Sequence, residues 1–268
     1  MASNDKISAR VGWEWVKQGF ALFRKQPMEM ATLFFSYTFI LLALSLIPVV
    51  GQLLPVILTP VFSMAFMEAC VKIERGERVF PSTLLTGFRS PAFRSLLLLG
   101  LLYLPAALLA FGASALVDGG TFWEIFSGQA KLDPATLRAS NVGMAVLVAA
   151  GVYTLAAMAF WYAAPLIMWN GMGVGKAMFY SFFAVRKAFR AFLVYGLAWL
   201  NIGILLPAFA SSLLAILLGK TTVASIILMP ALLMMTVIAY CSFYPTYATI
   251  FGKREPEASA PEKVDLQK

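Results

Sequence analysis

Six long apolar runs, with Lys and Arg gathered in every second gap between them, constrain this chain more than any other feature. The runs begin near Met28, Leu53, Ser95, Val142, Ala191 and Thr222. Hydrocarbon about 30 Å thick takes roughly 20 helical residues to cross. Lipid offers no partner to a backbone N–H or C=O, so runs of this length must be helices. The alternation of a membrane β-strand is absent. The expected fold class is all-α: a polytopic membrane protein with six transmembrane helices, at 28–50, 53–71, 95–117, 142–169, 191–219 and 222–251. Together they make one domain over residues 1–252, followed by a polar, Pro-containing tail (253–268) expected to be disordered.

Composition supports the same class. The chain is 60% hydrophobic and 13% charged, against about 45–50% and about 25% for a soluble domain. A water-soluble fold has too little interior to hide that much apolar side chain. Cys70 and Cys241 both fall inside apolar runs, which suits small buried side chains better than a disulfide framework. The first run is longer than a signal-peptide core and has no small-x-small cleavage site before Gly51, so it is expected to persist as an anchor.

The cations set the orientation. The N-terminal segment, the second gap, the fourth gap and the tail hold 18 of the 21 Lys and Arg, leaving only Lys131, Arg138 and Lys220 for the remaining gaps. That bias predicts both termini in the cytoplasm, which an even number of spans requires. The net charge of +8 is thereby explained without nucleic acid, whose binding needs a basic soluble face or groove.

Gaps one and five, Gly51-Gln52 and Lys220-Thr221, read as tight turns, so the spans pair as three hairpins. Each hairpin has a basic lead-in. Before span 1, Trp13, Val16, Phe20 and Phe23 face away from Glu14, Lys17, Gln18, Arg24 and Lys25. This is an amphipathic helix over 11–25, expected to lie in the inner-leaflet interface with Trp13, Trp15, Lys17, Arg24 and Lys25 as anchors. The fourth gap repeats the device: Met178, Phe182, Val185 and Phe189 against Lys176, Arg186, Lys187 and Arg190, the last three also expected as anchors. The second gap has a shorter version at 81–89. Residues 92–102 and 188–198 match at six of eleven positions, including Ala-Phe-Arg and Gly100 with Gly196, which indicates an internal repeat. The expected partner is the bilayer, in particular anionic inner-leaflet lipids.

Six spans in three hairpins resemble the mitochondrial carriers in layout only. The acid two residues after each odd-span proline is missing at Val50, Ala107 and Phe209. A broader resemblance rests on Gly12-Trp13-Glu14-Trp15, Leu22-Phe23-Arg24-Lys25-Gln26-Pro27, Ile47-Pro48-Val49-Val50-Gly51, Ala164-Pro165-Leu166-Ile167-Met168-Trp169 and Lys176-Ala177-Met178. These segments resemble a family of uncharacterised proteobacterial six-helix inner-membrane proteins. In layout the chain is also similar to the membrane domain of some glycerophosphodiester phosphodiesterases, without their catalytic domain. The resemblance implies a six-helix fold in a bacterial inner membrane and supplies no functional residues.

Chemistry-bearing residues are scarce. The absence of histidine removes Ser-His-Asp and Cys-His nucleophile activation, H-E-x-x-H zinc sites and histidine-ligated haem. No two carboxylates share a span at i, i+3 or i+4, so a general acid/base pair is unsupported. No catalytic residue, cofactor or metal is expected, and the chain reads as a non-enzyme. Glu68 is the one carboxylate well inside an apolar run. It is either a proton or cation site or the partner of Lys72, one helical turn on. Pro60, Pro105, Pro165, Pro207 and Pro230 interrupt spans. They mark either substrate-exposed broken helices or kinks satisfied by neighbouring helices. Ser63 beside Pro60 and Asn201 near Pro207 are the polar residues that accompany them, and Asn201 joins Glu68 and Lys72 as a candidate. The leading expectation is a protein that binds or handles a hydrophobic ligand or lipid, or acts as a scaffold. The alternative is a permease with a central path.

Overall fold

The computed structural model describes residues 7–48, 50–129, 140–219 and 221–254, with helices throughout and no strand among the described residues. Helix α1 (Arg10–Lys25) precedes six segments long and apolar enough to cross a membrane. Span 1 is α2 (Pro27–Ser45) and span 2 is α3 (Leu54–Glu74). A 3₁₀ turn (Pro81–Leu85) and α4 (Thr86–Arg89) lead to span 3, α5 (Phe93–Asp118), which α6 (Thr121–Phe126) follows. Span 4 is broken into α7 (Val142–Phe160) and α8 (Ala163–Asn170). After α9 (Val174–Lys187), span 5 comprises α10 (Phe189–Leu200), a π turn (Asn201–Leu205) and α11 (Leu206–Leu218). Span 6 is α12 (Thr221–Phe251).

The spans lie within a few residues of expectation, except that span 1 ends at Ser45 rather than residue 50. Pro48 has no N–H to continue the ladder and disfavours helix at the residue before it. The first turn is therefore longer than Gly51-Gln52, with the Gly51 N–H donating to the Ile47 carbonyl at 2.9 Å. The fifth gap is tight, as expected: Gly219 turns the chain at φ 69° and α12 begins at Thr221. Residues 255–268, most of the expected tail, and Lys131, Arg138 and Lys220 lie outside the described residues.

Helices in lipid associate through close packing, because the surrounding tails are as apolar as leucine. The most extensive interfaces join span 3 to span 4, α1 to span 6 and span 2 to span 3. Small residues set them up. A Cβ on Gly100 would lie 1.9 Å from the Ile57 carbonyl oxygen, so spans 2 and 3 touch backbone to backbone. Ala145 and Ala149 are buried in span 4, where their small side chains permit close helix packing.

The first helix departs from expectation. Its buried face is Gly12, Trp15, Val16, Gly19, Leu22 and Phe23, whereas Trp13 is 44% exposed. Gly12 seats on the Ala191 carbonyl and Gly19 on Ser242, so α1 lies on the start of span 5 and on span 6. Trp15 is consequently no interfacial anchor. It is fully buried, its indole Nε1 donates to Thr249 Oγ1 at 2.9 Å, and its rings pack on Phe192 and Tyr195. The glycine spacing of seven gives α1 a flat track on which backbones meet, and protein packing along that track takes the place of lipid.

Span 4 shows how the bundle accommodates a break. Pro165 supplies no N–H, and the helix turns over at Trp161-Tyr162. There the buried Ser181 hydroxyl of α9 enters the ladder: it accepts from the Tyr162 N–H at 2.9 Å and donates to the Met158 carbonyl at 2.8 Å. These two groups would bond directly in an unbroken helix. A neighbouring helix thus satisfies the kink. In span 5 the π turn ends two residues before Pro207, whose missing N–H leaves the Gly203 carbonyl without its usual donor.

Candidate functional site

Two neighbouring features stand out at the end of the bundle that carries α1, α9 and the end of span 6, here termed the basic end. The first is a polar latch between spans 2 and 6. The Arg254 guanidinium pairs with Glu68, and Lys253 Nζ pairs with Glu74 at 2.7 Å. Glu74 also accepts from Tyr244 OH at 2.8 Å, and Tyr247 OH donates to Asn170 Oδ1 at 2.9 Å. Arg254 lies over the Trp169 ring, 5.3 Å from its centroid, a favourable cation–π placement. Beneath the latch the two cysteines meet as a packing contact: Cys70 Sγ lies 3.9 Å from the Cys241 carbonyl, and both thiols are free and buried.

The expected partnership of Glu68 with Lys72 is therefore corrected. Helical spacing allows it, yet Glu68 turns to Arg254, 186 residues away, and no ion pair involves Lys72 among the described residues. A guanidinium offers a planar fork to a carboxylate. The site is also mostly enclosed, with side chains 14% exposed for Glu68 and 28% for Arg254. The half-buried Lys72 stays outside this pairing.

The second feature is an apolar cleft of about 570 Å³ among spans 2, 4, 5 and 6, walled chiefly by Phe66, Trp161, Phe192, Trp199, Tyr240 and Phe243. Three of its hydroxyls are bonded to protein. Ser63 donates to the Pro60 carbonyl at 2.9 Å, Thr236 to the Leu232 carbonyl at 3.0 Å, and Tyr195 OH shares a 2.7 Å bond with Ser242 Oγ. No Asp, Glu, Lys or Arg lines it. A second lobe of about 330 Å³ runs between span 4, α9 and span 5, and shares Trp161, Phe192 and Gly196 with the first.

The cleft exists because spans 4 and 5 stand apart. They meet through rings, with Trp161 and Phe192 centroids 5.3 Å apart, and Gly196 has no atom within 4 Å of where its Cβ would be. Gly100, its counterpart in the internal repeat, is jammed against span 2. The same glycine that seats span 3 thus leaves span 5 unseated.

The remaining candidates separate. Asn201 opens the π turn, is exposed and lines neither lobe. Lys17 pairs with Glu14 at 2.8 Å. Lys25 lines a polar hollow of about 370 Å³ with Glu74, Tyr244 and Lys253, and Arg24 is exposed. Arg186, Lys187 and Arg190 are exposed where α9 meets α10. No group of three or more His, Cys, Asp or Glu residues could hold a metal among the described residues. Sequence reasoning passed over the cleft aromatics, although Phe192, Tyr195 and Trp199 recur at i, i+3 and i+7 on one face of span 5.

No family model matches the chain. No solved structure matches it either. It is 39% identical over 260 residues to a probable inner membrane protein of Burkholderia thailandensis, covering 94% of this chain and 95% of that protein. With six apolar membrane-length helices and this similarity along almost the whole of both chains, the protein is a multi-pass integral inner-membrane protein and belongs to the proteobacterial family of that Burkholderia relative.

Proposed function

We propose that the protein is a non-enzymatic membrane protein that holds a hydrophobic ligand, a lipid, in the cleft between spans 4 and 5. The observation that carries this is a 570 Å³ space lined by aromatic rings, with no charged side chain and with the Ser63, Thr236 and Tyr195 hydroxyls already bonded to protein. Ligand sites of several hundred Å³ with mostly apolar walls are typical for small hydrophobic molecules. The lack of histidine and of paired carboxylates in the spans supports a binder over an enzyme. The concentration of cations at the basic end supports placing that end, and both termini, in the cytoplasm against the anionic leaflet.

A permease reading draws on the breaks in spans 4 and 5. At span 4 it gains little support, because Ser181 takes up the freed backbone groups that a solute would need. The test is native mass spectrometry of the full chain extracted from membranes without added lipid. Bound lipid is expected to survive extraction in the natural protein and to fall severalfold in Gly196→Leu, which fills the cleft from a position with free space around it. Absence of bound lipid, or equal retention by both proteins, overturns the proposal. Solute uptake by reconstituted vesicles that span substitutions abolish supports the permease instead.

A further inference from the structure

We infer that the cleft's ligand is an anionic phospholipid of the surrounding membrane, its phosphate held by Arg186, Lys187 and Arg190 and one acyl chain lying along span 5. This rests on the lipid-binding reading and adds the headgroup class and the point of entry. Three observations converge on the junction of α9 and α10.

The first is charge without partners. Every ion pair among the described residues involves Glu14, Glu29, Glu68 or Glu74. No Asp or Glu occurs anywhere between Asp133 and Glu255, a stretch that holds Lys176, Arg186, Lys187 and Arg190. Positive-inside bias accounts for cations at this end of the spans. It does not account for one cluster being left without acids while those of α1, the second gap and span 6 have them.

The second is position. Val185 and Phe189 line the 330 Å³ lobe, and Arg186 and Arg190 are the next residues in the chain. The cations thus stand exposed, adjacent in the chain to residues that line the groove. The third is depth. The groove follows span 5 from Phe189 to Leu200, a rise of roughly 16 Å along a helix. That is about half of a hydrocarbon core of about 30 Å, the reach of one leaflet's acyl chain. Phe189, Leu193, Leu197 and Leu200 are each about half exposed along it, so the groove is open on its side for lateral entry.

The experiment offers the full-length protein an equimolar mixture of dioleoyl phosphatidylglycerol and dioleoyl phosphatidylcholine in detergent, and reads the retained lipids by native mass spectrometry. The natural protein is expected to retain the anionic lipid about tenfold or more over the zwitterionic one, since each basic group near a lipid surface contributes a factor of roughly five. The combined variant Arg186→Gln, Lys187→Gln, Arg190→Gln should fall towards parity while still retaining lipid. Arg78→Gln, whose cation is already paired with Glu29, should keep the preference. All substituted residues are exposed, so a shared thermal midpoint confirms that the fold is intact. Retention without headgroup preference, or a preference that survives the triple change, overturns this inference and leaves the lipid-binding reading standing. Competition by glycerol 3-phosphate alone also overturns it, by showing a headgroup site with no role for the chain. No retained lipid at all overturns both.

Discussion

Spans 2 and 3 and spans 4 and 5 are two versions of one arrangement, and they differ in whether the backbones touch. In the first pair Gly100 presses on Ile57, and span 2 is latched to span 6 by Glu68–Arg254 and Glu74–Lys253. In the second pair Gly196 faces open space, aromatic rings keep the helices apart, and Arg186, Lys187 and Arg190 have no acidic partners among the described residues. One half of the bundle is closed by small residues and compensated charge. The other is held open by large residues and uncompensated charge. Without a strong hydrophobic drive between helices in lipid, such local differences suffice to decide which pair closes.

The sharpest way to break that contrast is at the two glycines. Gly100→Ala is expected to cost about 2 kcal/mol or more through overpacking, whereas Gly196→Ala should be neutral or slightly stabilising, because alanine favours helix over glycine. Thermal midpoints of the two purified variants in the same detergent measure the difference. Equal midpoints would mean that the two spans are seated alike.

The latch comes next. Glu68→Gln is expected to cost about 2 kcal/mol, the scale of a hydrogen bond to a charged group, and Lys72→Gln less than about 0.5 kcal/mol. The reverse order in unfolding midpoints would restore the pairing within one helix. Ser181→Ala should then cost about 1–2 kcal/mol, since it withdraws the hydroxyl shared by the Tyr162 N–H and the Met158 carbonyl. Hydrogen exchange at Tyr162 should speed up while span 3 is unaffected. The smallest effect belongs to Lys17→Ala, below about 0.5 kcal/mol, because its pair with Glu14 is exposed on α1.

Much of the architecture was legible because its causes are local. Length and apolarity give the spans, and proline and glycine give the breaks at Pro165 and the turn at Gly219. The site was less legible because its causes are distant. Arg254 reaches Glu68 across 186 residues, and no periodicity announces that an arginine beside a polar tail will displace a lysine one turn away. Trp15 looked like an interfacial tryptophan for a similar reason: the glycines at 12 and 19 that carry α1 onto spans 5 and 6 read as neutral until their neighbours are known. The repeat of Ala-Phe-Arg was visible, but the opposite fates of Gly100 and Gly196 depend on what faces them.

The seating of α1 has a consequence for how the molecule is made. Helix α1 finds its hydrogen bond at Thr249 and the seat of Gly19 at Ser242, both in span 6, and the seat of Gly12 at Ala191 in span 5. Until span 6 is inserted, the Trp15 indole N–H lacks its acceptor and the Gly19 end of the track has nothing to rest on. A chain halted before span 6 is thereby left with α1 seated at one end only, a mark of incompleteness open to quality-control proteases.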